Sequence, residues 1–139
     1  MPPKPGDDDS QAPEVQLGDK SLPTPDAAQV QLIRSYGPGR FLIGEREWRE
    51  PVLVSPMLSL PWKVARAEEL SVEALKDLPP VEVLVVGCGA RSIFVPPPLR
   101  ARFKQAGVGL EVVDTGAACR IYNVLLAESR KVAAALIPL

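Results

Sequence analysis

Histidine is missing altogether from this 139-residue chain. Its absence removes Ser–His–Asp and Cys–His nucleophilic relays and any His-ligated metal centre. Acid–base work would fall to Asp, Glu, Lys, Tyr or Cys. Cysteine is nearly missing as well, with only Cys88 and Cys119. Two thiols fit a reducing compartment and make neither a disulfide framework nor a metal site. Long apolar runs are lacking too. "VLVV" (83–86) and "VAAALIPL" (132–139) fall far short of the ~20 residues a bilayer needs, so no integral membrane segment is expected. The N-terminus has no apolar signal region and is acid-rich where a transit peptide is arginine-rich. The expectation is therefore a cytoplasmic protein. Aromatics are only 5% of the residues and no dense Lys/Arg stripe interleaves with them, which argues against a nucleic-acid partner.

What is present divides in two. Residues 1–29 hold six prolines, six acidic residues and two lysines, a net charge of −4. So little apolar surface cannot offset the entropy of ordering the chain, and this stretch reads as a disordered acidic tail. Residues 30–139 carry 14 basic and 11 acidic residues, a net of +3, and are long enough for one compact core.

Within this body, "VQLIRSYGPGRFLIGEREW" (30–48) alternates and breaks at Gly37-Pro38-Gly39 and at Gly44. The pattern predicts short strands near 30–36, 40–43 and 45–49, then a proline-bounded strand at 51–56. Residues 57–70 read as a loop with Trp62 exposed. Ser71 is placed to cap a short helix at 72–78, which Pro79-Pro80 ends. "VEVLVVG" (81–87) has the unbroken β-rich character of a strand buried on both faces. A helix starts at about Pro98 and stops at Gly107. A strand (109–114) follows, then an amphipathic helix (115–130) with Asp114 or Thr115 as its cap, and a final strand near 131–136. Strand–helix–strand connections make the strands at 81–87 and 109–114 parallel, so the expected class is α/β with a mixed sheet and β-hairpin material at its N-terminal end.

In such a sheet, ligands sit beyond the carboxyl ends of parallel strands. Two ends meet there: Gly87-Cys88-Gly89-Ala90-Arg91 and Asp114-Thr115-Gly116, with Arg120 one turn into the helix. A helix N-terminus favours an anion. The dinucleotide fingerprint is incomplete, however. Ser92 stands where its third glycine belongs, and three prolines delay the helix. No Gly-Lys-Ser/Thr phosphate loop occurs. The preferred reading is a sharp bend beside packed side chains; the alternative is a small-anion or nucleotide rim. No cofactor is expected. Cys88 and Cys119 read as inert buried thiols near one another across this rim. Tyr122 and Asn123 either bond the glycine turn or face solvent. Phe41, Trp48 and Trp62 either form an exposed aromatic patch that anchors a partner or pack the hairpin layer.

The strand end "VVGCGAR", the helix starts "PPPLR" and "DTGAACRIYN" and the close "ESRKVAAALIPL" carry a resemblance, joined by "GPGRFLIG" and "SPMLSLPW". Together they resemble the family of mitochondrial complex I assembly factor 3 and its bacterial relatives, from about Val30 to the C-terminus. The resemblance implies a single three-layer α/β domain with a mixed, mostly parallel five-stranded sheet whose closing strand is antiparallel. It also implies a non-enzymatic interaction factor in the biogenesis of respiratory complex I. Its partners would be complex I subunits or other assembly factors, which would make it peripheral to the inner membrane. Gly87, Gly89, Asp114, Thr115 and Asn123 are family-matching positions.

Overall fold

Glycines at two-residue turns set the first three strands. Strands β1 (Ile33–Gly37), β2 (Arg40–Ile43) and β3 (Arg46–Trp48) form an antiparallel sheet in that order. Gly39 and Gly44 take positive φ values of 72° and 59° in the tight turns between them, which a side chain would resist. The computed structural model describes residues 30–139, so the expected disordered tail at 1–29 lies outside the described residues.

Strands β4 (Val52–Ser55) and β5 (Leu58–Pro61) pair as a hairpin across Pro56-Met57. β5 falls in the segment expected to be a loop. Its flanking prolines hid the alternation of Leu58 and Leu60. Two 3-10 turns follow, Ala67–Glu69 in the segment expected to be a loop and Val72–Leu75 in place of the helix expected at 72–78. Ser71 does cap the second, accepting from the Glu73 N–H, but the stretch before Pro79 is too short to propagate an α-helix. The remainder runs β6 (Val83–Gly87), α1 (Pro97–Gln105), β7 (Gly109–Val113), α2 (Thr115–Ala127) and β8 (Val132–Leu136).

The larger sheet has the order β5-β4-β8-β6-β7. β6 pairs parallel with both β7 and β8, whereas β4 pairs antiparallel with both β5 and β8. The closing strand β8 is therefore not the antiparallel one. It lies at the centre of the sheet, and the single reversed strand is β4. The cause is α2: a helical crossover returns the chain to the end from which β7 started, so the next strand must run parallel. The step from β6 to β7 and the step back past β6 to β8 go in opposite directions across the sheet. Right-handed crossovers then place α1 and α2 on opposite faces.

Each face has its own core. Val52, Val54, Val85, Val132, Ala134 and Leu136 pack against α2 and the small sheet. Leu53, Leu84, Val86, Ala133 and Ala135 pack against α1, the 3-10 turns and Trp62. All five residues of β8 are fully buried, and three of them are alanine. Small side chains on a central strand let the layers on both faces approach it closely.

Ala134→Leu adds three carbons to a sealed face between β8 and α2. Overpacking of this kind is expected to lower unfolding free energy by about 1–3 kcal/mol. Val124→Ala, at a mostly exposed position, is expected to change it by less than about 0.5 kcal/mol. Urea denaturation reads both, and an unchanged midpoint for Ala134→Leu would show slack between strand and helix.

Candidate functional site

The crossover order brings the carboxyl ends of β6, β7 and β8 together beneath the N-terminus of α2. Thr115, completely buried, joins them. Its Oγ1 accepts from the Gly89 N–H at 2.8 Å and donates to the Ile137 carbonyl at 2.6 Å. Its own N–H donates to the Gly89 carbonyl at 2.8 Å. Both backbone groups of Gly89 are thus held by one threonine. Two more bonds complete the junction: the Cys88 N–H to the Val113 carbonyl and the Ile137 N–H to the Gly87 carbonyl, each 2.9 Å.

The two glycines have separate reasons to be there. A Cβ on Gly87 would lie 3.0 Å from Ala118 Cβ, Leu136 Cδ2 and Thr115 Cα. The last is backbone and cannot swing away, so only a hydrogen fits. Gly89 has a φ of +91°, in the range that glycine adopts readily.

Asp114, rather than Thr115, is the cap of α2. Its side chain accepts from the Ala117 N–H at 2.9 Å. The Thr115 and Ala117 N–H groups are therefore engaged, and a carboxylate already occupies the position where a helix N-terminus would meet an anion. Arg120 is exposed, and its Nη1 donates to the Tyr36 hydroxyl at 3.0 Å, pointing toward β1. Arg91 is exposed on the loop after the glycine turn. On that loop, Ser92 Oγ donates to the Val112 carbonyl at 2.9 Å.

Asn123 and Tyr122 take neither of the expected roles. Asn123 Oδ1 accepts from the Ile33 N–H at 3.0 Å, and its Nδ2 donates to the Ile33 carbonyl at 2.8 Å. The Tyr122 hydroxyl donates to the Gln31 carbonyl at 2.8 Å. Both hold the small sheet onto α2. The two cysteines do not meet across the rim either. Cys119 lies in the core on the α2 face, and Cys88 packs against the core on the other. Successive residues along β6 alternate faces, which puts Gly87 toward α2 and Cys88 away from it. Burial pushes both thiols up from their ordinary value, Cys119 to about 12. Burial also raises the Tyr122 phenol. All three groups keep their protons at neutral pH. Among the described residues, no group of three or more His, Cys, Asp or Glu is placed to hold a metal ion.

The exposed aromatic patch does not form from the expected residues. Phe41 is fully buried, Trp48 is 3% exposed and Trp62 is 5% exposed. Phe41 and Trp48 pair across β2 and β3 and face α2, while Trp62 fills the α1-side core. Arg46 stacks over the outer side of Trp48, 4.0 Å from the ring centroid. Among the described residues the exposed aromatic is instead Phe94, at 79%. Its signal was position: a large ring on a connection between Arg91 and a proline run.

A profile of the family described as a protein of unknown function (DUF498/DUF598) matches residues 33–137. The chain is similar to the NADH dehydrogenase [ubiquinone] 1 alpha subcomplex assembly factor 3 of Xenopus tropicalis, with 36% identity over 81% of this chain. It is similar to the protein of the same name from Danio rerio at 37% identity over 85% of this chain. It spans 64% and 70% of the lengths of those relatives. A crystal structure of a protein from Bordetella parapertussis has the same fold. Its TM-score is 0.74 with 31% identity, covering 82% of this chain and 100% of that one.

Thr115→Val keeps the shape but leaves the Gly89 N–H and Ile137 carbonyl without their partner. It is expected to cost about 1–3 kcal/mol in chemical denaturation, with Thr115→Ser recovering most of it. Equal stability of the valine variant would remove the threonine from its structural role. The raised thiol gives a pH dependence of definite sign. Between about pH 9 and 12 the unfolded chain loses the Cys119 proton while the folded chain keeps it. Stability is therefore complete below about 9 and falls as pH rises toward 12. Urea midpoints measured below and within this window should show that fall, with a shallower one in Cys119→Ala; equal slopes would count against it.

Proposed function

The chain belongs to the family of proteins of unknown function DUF498/DUF598, and from that membership we propose a non-catalytic protein-binding factor that assists assembly of respiratory NADH dehydrogenase. The observation that carries this reading is the 36–37% identity to relatives named as assembly factors of that enzyme. Two features of the chain support it. There is no histidine, and both thiols are held protonated by burial, so neither a His-assisted nucleophile nor a ready thiolate is at hand. The junction of Gly87, Gly89, Asp114 and Thr115 has its polar groups engaged with one another, which supports a framework role for these residues. On this reading Phe41, Trp48 and Trp62 shape the scaffold, and the partner is met elsewhere on the surface. Among the described residues no helix is long and apolar enough to cross a membrane, so membrane association would come through such partners.

Deletion of the gene in its host is expected to reduce fully assembled NADH:ubiquinone oxidoreductase on native gels while other respiratory complexes persist. Expression of the full chain should restore it. An unchanged level of the assembled enzyme in the deletion strain would end the assembly reading.

A further inference from the structure

Beyond the Thr115 junction, the described surface has an apolar groove at the opposite end of the sheet, where the amino end of β8 emerges. Two adjoining cavities share Pro56 and Arg130 as lining. One, of about 550 Å³, lies between Leu32, Leu126 and Ala127. The other, of about 330 Å³, lies between Met57, Pro79 and Pro80. Leu32 is 38% exposed and Met57 46%, high values for large apolar side chains. Asn123 lines the first cavity, but Ile33 occupies both ends of its amide. The charged residues lining the groove are Arg130 and Lys131, both exposed. Arg130 is paired with Glu82 through Nε at 3.5 Å, a long and solvent-exposed contact worth little. This leaves its guanidinium open to a second carboxylate.

We propose that this groove docks a protein partner through a short apolar segment flanked by carboxylates, the apolar side chains seated against Leu32 and Met57 and the carboxylates on Arg130 and Lys131. This proposal rests on the assembly reading and names the surface it would use. Charge selects the occupant. A second copy of the chain docked by two-fold symmetry would set Arg130 and Lys131 against their own kind, which is repulsive. An anionic membrane would favour a protruding basic face. Here the apolar side chains line a concavity instead, with Arg130 and Lys131 at its edge.

The first test is fluorescence anisotropy of the full chain with two labelled peptides of about sixteen residues. They share one leucine pattern and carry either glutamate or lysine at the flanks. The acidic peptide is expected to saturate, and the basic one to bind at least about tenfold more weakly. Met57→Asp and Arg130→Glu, each verified as folded by its thermal melt, should each weaken the acidic peptide by about tenfold or more. Absence of saturation, or binding indifferent to peptide charge or to both variants, overturns the proposal. Sedimentation with phosphatidylglycerol vesicles that is lost in Arg130→Glu, without discrimination between peptides, replaces it with a membrane surface. Complementation then separates this proposal from the assembly reading. If the deletion loses the assembled enzyme and both variants restore it fully, the groove is not the docking site. If the deletion loses nothing, the assembly reading falls and the titration alone decides the groove.

Discussion

Thr115 is the residue on which the arrangement turns. Three parallel strands end at one place because two crossovers of the same hand step in opposite directions across the sheet. Strand ends brought together this way leave backbone groups with no ladder to join, and buried groups of that kind must be satisfied. One hydroxyl and one N–H from Thr115 meet that need for Gly89 and Ile137 together, at the point where α2 begins. The absence of a Cβ at Gly87 lets the first turn of α2 approach close enough for these bonds to form.

The same closeness explains why a position so often used for binding has a different character here. Sheet topology places a crevice beyond the carboxyl ends of parallel strands. In this chain the residues around that crevice bond and pack against the chain's own elements. Gly87 touches α2, the Asp114 carboxylate caps the helix, and Arg120 turns toward Tyr36 on the small sheet. The small sheet is in turn held on α2 by Asn123 and Tyr122. α2 therefore carries the strand-end junction at its start and the hairpin layer along its length. Exposed large apolar side chains on that helix reduce to Val124, and others lie away from it, among them Phe94 on its loop and Met57 at the β4–β5 turn.

Much of the fold was legible in local pattern. The glycine-marked hairpins at 37–45, the unbroken strand before Gly87, the strand at 109–113 and the amphipathic helix after Asp114 all follow from periodicity and turn chemistry. The misreadings have particular causes. Prolines at 56 and 61 masked an edge strand, and Pro79-Pro80 shortened a helix to single turns. Exposure was the least legible property. Trp62 looks solvent-facing because charged and proline residues surround it, yet its ring is drawn under the 3-10 turns into the α1-side core.

The sequence by itself determined most strands and both α-helices, though not β5 or the 3-10 character of 72–75, together with where the chain must bend and which chemistries are ruled out for want of histidine. These are properties of near neighbours or of composition, and they need no knowledge of what lies across the molecule. Only the tertiary structure decided that β8 is central and parallel to β6, that Cys88 and Cys119 face opposite cores, and that Asn123 bonds to Ile33, ninety positions away. Those outcomes depend on which strand end meets which helix start. That pairing is set by crossover handedness and packing over the whole sheet, and no local window of residues contains it.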